Sequence, residues 1–178
     1  MEAVKKIKLQ ESLKYIEKIP EGKVTTFFNS SGQLETFFTY KANVIDIHKE
    51  KMKIDLGKSS AEEVGESLRS QICAFLQKGY IIVLNLGGNE NFDIIKFFSQ
   101  FPWFSKDLFK DRNYYDRNFL LKSKILTQNE DWDLTNSFKG GYQVMETSRL
   151  YFLSGAEEKD VENFMKINSE IPLEALIV

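Results

Sequence analysis

The residues best suited to chemistry lie in a tripeptide, Gly57-Lys58-Ser59. Gly-Lys-Ser/Thr closes the phosphate-binding loop of many nucleotidases: backbone N–H groups wrap the phosphates, the lysine neutralises charge and the hydroxyl reaches magnesium. The full loop needs a glycine five residues before the final Gly-Lys, and Met52 stands there, followed by Lys53-Ile54-Asp55-Leu56, which reads as strand. The plainer role for these residues is a chain turn at Gly57 and a helix cap at Ser59 or Ser60. Gly57, Lys58 and Ser59 are therefore cofactor-binding candidates only if a nucleotide binds at all.

The remaining motifs fall short of their chemistry. His48-Lys49-Glu50 has the His-x-Glu of zinc deaminases, yet Cys73 is the only cysteine, so the paired-cysteine partner is missing. His48 is the only histidine, which leaves nucleophile triads with one option in a charged turn. Asn129 to Asp133 alternates acids like a calcium loop, but Leu134 replaces the required glycine and Gly140 the closing Glu. A solvated acidic turn with Trp132 packed inward is expected instead. Cys73, between Ile72 and Ala74, reads as a small buried hydrophobe. Glu62, Glu63 and Glu66 suit the first turns of a helix. No catalytic residue, metal ligand or cofactor is assigned.

Ser60 and Glu63 form a capping box, Val64, Leu68, Ile72, Phe75 and Leu76 make an apolar stripe, and Gly79 ends that helix. Tyr80 to Leu86 is a continuous apolar run, as in a strand buried on both faces, and Arg149 to Ser154 is a second. Short helices are expected over 92–99, 116–123 and 156–167. Before Lys58, a helix over 3–19 precedes strands at 23–28, 34–40, 42–47 and 52–56, with a hairpin connection at Asn29-Ser30-Ser31-Gly32. The expected fold is α+β: an N-terminal helix and small antiparallel β-meander over 1–58, then a three-layer-like α/β unit over 59–178, as two units or one continuous domain.

The elements from Met52 onward resemble a pared-down P-loop ATPase of the AAA or dynein-motor kind. Tyr80-Ile-Ile-Val-Leu-Asn85 resembles the strand that ends in the metal-binding acid, with Asn85 in place of that acid. Arg149-Leu-Tyr-Phe-Leu-Ser154 resembles the later strand that senses the γ-phosphate. The resemblance implies a nucleotide-binding scaffold reused without hydrolysis, as in ciliary and cytoskeletal assemblies.

Composition bounds the partners. The formal charge is -2, with excess base before Lys58 and excess acid after it, and neither part carries the clustered Lys/Arg face of a nucleic-acid binder. No apolar run is long enough for a membrane span, and the N-terminus lacks a secretory core, so a cytoplasmic protein is expected. The richest stretch for recognition is 97–119, with Phe97, Phe98, Phe101, Trp103, Phe104, Phe109, Tyr114, Tyr115 and Phe119 around Pro102. Interface centres are enriched in aromatics and arginine, so Phe101, Trp103, Phe104, Phe109, Arg112, Tyr114 and Tyr115 are the partner-binding candidates, with an ordinary core as the competing use. The expected function is a non-catalytic structural or interaction subunit of a larger intracellular, cytoskeletal or ciliary assembly. The alternative is a degenerate P-loop domain that binds nucleotide without hydrolysis.

Overall fold

The computed structural model describes residues 4–18, 22–110, 112–133 and 136–178. In chain order the elements are β1 (Lys5–Lys6), α1 (Leu9–Glu17), β2 (Val24–Phe28), α2 (Gln33–Lys41), β3 (Asn43–Asp46), α3 (Ile47–Asp55), α4 (Ala61–Gln77) and β4 (Ile81–Asn85). There follow α5 (Ile94–Phe98), α6 (Arg117–Lys122), β5 (Trp132–Asp133), β6 (Phe138–Lys139), β7 (Arg149–Ser154), α7 (Val161–Ile167) and β8 (Leu173–Ile177). Helices and strands thus mix as expected, and six strands form one sheet in the order β1-β8-β2-β7-β4-β3.

Every pairing in that sheet is parallel. Parallel neighbours need crossovers, and those crossovers cover both faces of the sheet. The central strands β2 and β7 are accordingly buried at every position. Along β7 the side chains alternate: Leu150 and Phe152 join the layer that contains α4 and α7, while Tyr151 and Leu153 join Phe27, Leu34, Phe38 and Ile16 beneath α1 and α2. Strands from both sides of residue 58 interleave, since β2 lies between β8 and β7.

The antiparallel meander expected before Lys58 is not formed. Residues 34–40 belong to α2, because Leu34 and Phe38, four apart, are both fully buried on one helical face. The β-propensity of their Thr and Phe neighbours is overridden by that packing. The stretch 52–56 is likewise the end of α3. Its start is fixed by Asp46, whose carboxylate accepts the Lys49 N–H at 2.9 Å, and Ile47 and Ile54, seven apart, turn to the core. The strand-like alternation of Met52, Ile54 and Leu56 was a coincidence of spacing, and Met52 and Leu56 are exposed. Of the expected helix over 3–19, residues 9–17 are helical; Ala3 and Ile19 lie outside the described residues.

The helix α4 follows its sequence signals closely. The Ser60 hydroxyl accepts the Glu63 N–H at 3.1 Å, and the Glu63 carboxylate accepts the Ser60 N–H at 2.9 Å. Those bonds also hold the Glu63 carboxyl below the usual range. Val64, Leu68, Ile72 and Leu76 are buried along one stripe. Gly79 then turns the chain at φ +76 into β4.

Candidate functional site

In open α/β sheets, ligands bind outside the carboxyl ends of the strands. Here that edge holds a cleft of about 330 Å³ lined by Asn29, Ser30, Gly32, Glu35, Asp46, His48, Asn85, Gly87, Gly88, Leu153 and Gly155. It is built by the loop from β2 to α2, the start of α3, and the ends of β4 and β7. Gly87 takes φ +74, and a Cβ there would lie 2.8 Å from His48 Cγ, so only glycine lets the imidazole lie against this turn.

The first two N–H groups at the α2 amino end already have side-chain acceptors. Asn29 Oδ1 accepts the Leu34 N–H at 3.2 Å, Ser31 Oγ accepts the Gln33 N–H at 3.4 Å, and the Ser31 hydroxyl donates to Asn29 Oδ1 at 3.1 Å. Glu35, one turn in, accepts from Asn85 Nδ2 at 3.0 Å. The lining holds two carboxylates and no lysine or arginine. Such a cleft repels a polyphosphate. Among the described residues no group of three His, Cys, Asp or Glu side chains is arranged to hold a metal ion.

Gly57, Lys58 and Ser59 are not part of this cleft. They join α3 to α4, where the Lys58 N–H donates to the Lys53 carbonyl at 2.8 Å and the Gly57 N–H to the Ile54 carbonyl at 2.9 Å. Together with φ +65 at Gly57 this is a Schellman stop, so the N–H groups that would wrap a phosphate instead close a helix. Lys58 is exposed. The strand–loop–helix layout that a phosphate loop needs occurs at 24–41 instead, around the self-capped Asn29 loop.

The aromatic stretch is core. Phe101, Trp103, Phe109 and Tyr114 are buried, and Phe104 and Tyr115 pack against the same cluster. The Trp103 indole donates to the Gly65 carbonyl at 2.9 Å, the Phe101 ring fills the space a Cβ at Gly65 would need, and Phe109 meets Phe152 edge to face at 5.2 Å. The four buried rings therefore present no surface to a partner. Of the seven candidates, Arg112 stays half-buried, its guanidinium 4.2 Å from the Tyr115 ring centre.

The acidic turn is inverted relative to expectation. Asp131 and Asp133 are buried and Trp132 is exposed. Asp131 is ion-paired with Arg117 and accepts the Tyr142 N–H at 3.2 Å, and the Arg117 guanidinium holds its carboxyl below the usual range. Cys73 is buried as expected; burial pushes its thiol up to about 12, and it donates to the Ile125 carbonyl at 3.1 Å.

The opposite, amino edge of the sheet carries exposed apolar side chains that the sequence did not single out. Tyr80, Trp132 and Met145 are all exposed around the last turn of α4. The Met145 N–H donates to the Leu76 carbonyl at 3.1 Å, the Thr147 hydroxyl donates to the Gly79 carbonyl at 3.0 Å, and Gln77 Nε2 donates to the Trp132 carbonyl. Nothing in their spacing marked them, because they come from three separate segments joined only by the fold. No helix among the described residues is long and apolar enough to cross a membrane. No family model, curated protein or solved structure matches this chain.

Proposed function

We propose that the chain is a non-catalytic protein-interaction module whose binding surface is the amino edge of the sheet around the end of α4. The observation that carries this reading is the joint exposure of Tyr80, Trp132 and Met145 on hydrogen-bonded, positioned backbone. Aromatic residues, methionine and arginine are the side chains enriched at interface centres, since each offers a large contact area. Methionine adds a side chain that adapts to its partner.

The carboxyl-edge cleft supports the non-catalytic half of the proposal. A P-loop-type scaffold is favoured by the β2–loop–α2 unit beside β7, with β4 next in the sheet and ending in Asn85. On that scaffold the phosphate position is occupied by Asn29 and Ser31, so the layout is kept while the ligand is not.

The test is a paired surface substitution, Trp132→Ser with Met145→Asp, followed by gel filtration of the chain from its native setting. The expected result is release from a larger species to monomer with an unchanged melting temperature. A wild-type chain that already runs as a free monomer there, or a variant that stays in the larger species, overturns the reading.

A further inference from the structure

We propose that Arg112 and Arg149, both in contact with Tyr115, receive a carboxylate from an acidic segment of the protein partner. This rests on the reading of the amino edge as an interaction surface and names the chemistry of what docks there.

Four arginines occur in the chain, and they divide into two kinds. Arg69 is held by Glu66 and Glu130, and Arg117 by Asp131. Arg112 and Arg149 are ion-paired with no carboxylate among the described residues. Arg149 is only 8% exposed, yet among the described residues its guanidinium donates through Nη1 alone, to Tyr115 Oη at 2.9 Å, to the Ser148 carbonyl at 2.7 Å and to the Glu146 carbonyl. Its Nε is buried with no acceptor, as is the Nε of Arg112. The side-on edge of each fork, which takes a carboxylate through two parallel bonds, therefore donates to nothing described.

A buried guanidinium without a counter-charge is costly, and two on one tyrosine repel each other. The backbone is strained toward the same arrangement: Arg112 sits at φ 61, ψ 33, a left-handed conformation unusual for a side chain of this size, and so lays its cation over the Tyr115 ring. The Tyr115 hydroxyl in turn donates to the Ser148 carbonyl, which fixes the hydroxyl that Arg149 also holds. An entering carboxylate supplies the missing counter-charge to both. Arg149 follows Met145 by one turn of loop whose Glu146 carbonyl it holds, so the charged pair lies beside the exposed apolar residues. Two cations in a chain of formal charge -2 suit a short acidic segment and not the long basic track of a nucleic-acid groove.

The test follows the arginine Nε–H resonances of nitrogen-15-labelled protein during titration with a blocked heptaglutamate peptide. The expected result is saturable movement of Arg112 and Arg149, no movement of Arg69 and Arg117, and no response to heptaglutamine. R112Q should weaken the peptide about tenfold, the scale of one charge-assisted hydrogen bond. R149K, which keeps the charge and loses the fork, should weaken it as well. The proposal is overturned if no arginine responds, if all four respond alike, if R149K binds fully, or if inorganic phosphate moves both resonances as strongly as the peptide. If the resonances stay still while Trp132→Ser with Met145→Asp still releases the chain from its complex, the surface stands and the charge pairing falls.

Discussion

Asn29 ties the start of α2 to the far end of the chain: its Oδ1 accepts the Leu34 N–H at 3.2 Å while its Nδ2 donates to the Val178 carbonyl at 2.9 Å. One side chain thus caps a helix and joins the ends of β2 and β8. Asn29→Ala removes both bonds and should cost about 1–2 kcal/mol in urea unfolding.

The same relationship predicts how the protein treats nucleotides. With the Gln33 and Leu34 N–H groups engaged and the Glu35 carboxylate beside them, millimolar magnesium-ATP should leave the melting temperature unchanged. A saturable rise would show that the Asn29 cap yields to phosphate.

Gly65 tests the assignment of the aromatic stretch to the core. Alanine is the better helix former by about 1 kcal/mol. A Cβ at Gly65, however, would lie 2.7 Å from Phe101 Cδ1, inside a packed ring cluster. Overpacking of this kind costs about 1–3 kcal/mol, so Gly65→Ala should be destabilising in chemical denaturation. A stabilised variant would mean that Phe101 is free to leave.

Acid sensitivity follows from Glu66, Glu130 and Asp131. The Arg69 hydrogen bond lowers the Glu66 carboxyl. Burial pushes Glu130 up, but bonds from Arg69 and Thr127 outweigh it and leave it low, and Arg117 lowers Asp131. A folded-state value below the unfolded one means that stability is present above the ordinary values of 4.5 and 3.8 and is lost as pH falls through the lowered ones. The melting temperature should therefore drop from pH 4.5 downward, and Glu130→Gln should flatten that slope.

The parts of the fold legible in the sequence were those with local rules. The α4 capping box, its apolar stripe, Gly79 and the two buried strands at 81–85 and 149–154 all carry their own signals. The strand at 42–47 is present as β3, but 34–40 and 48–55 are helical: Thr and Phe favour strands locally, while the burial of Leu34, Phe38 and Ile47 that makes helices there depends on a sheet built from the rest of the chain. The aromatic stretch gave composition without orientation; only the fold decides that Trp103 faces Gly65 and that Arg112 lies over the Tyr115 ring. The cleft and the amino edge each gather residues from distant segments, and no spacing rule links Tyr80 to Met145 or Arg112 to Arg149.

The central claim, that the amino edge is the working surface, is tested most directly by placing a photo-crosslinking phenylalanine analogue at Met145, at Tyr80 and at Leu56 in the native setting. Leu56 is 61% exposed in the turn between α3 and α4, at the opposite end of α4 from its last turn. The account predicts one discrete protein adduct shared by Met145 and Tyr80 and none from Leu56. Adducts of equal yield from Leu56 and the two edge positions, or none from Met145 and Tyr80, would contradict it.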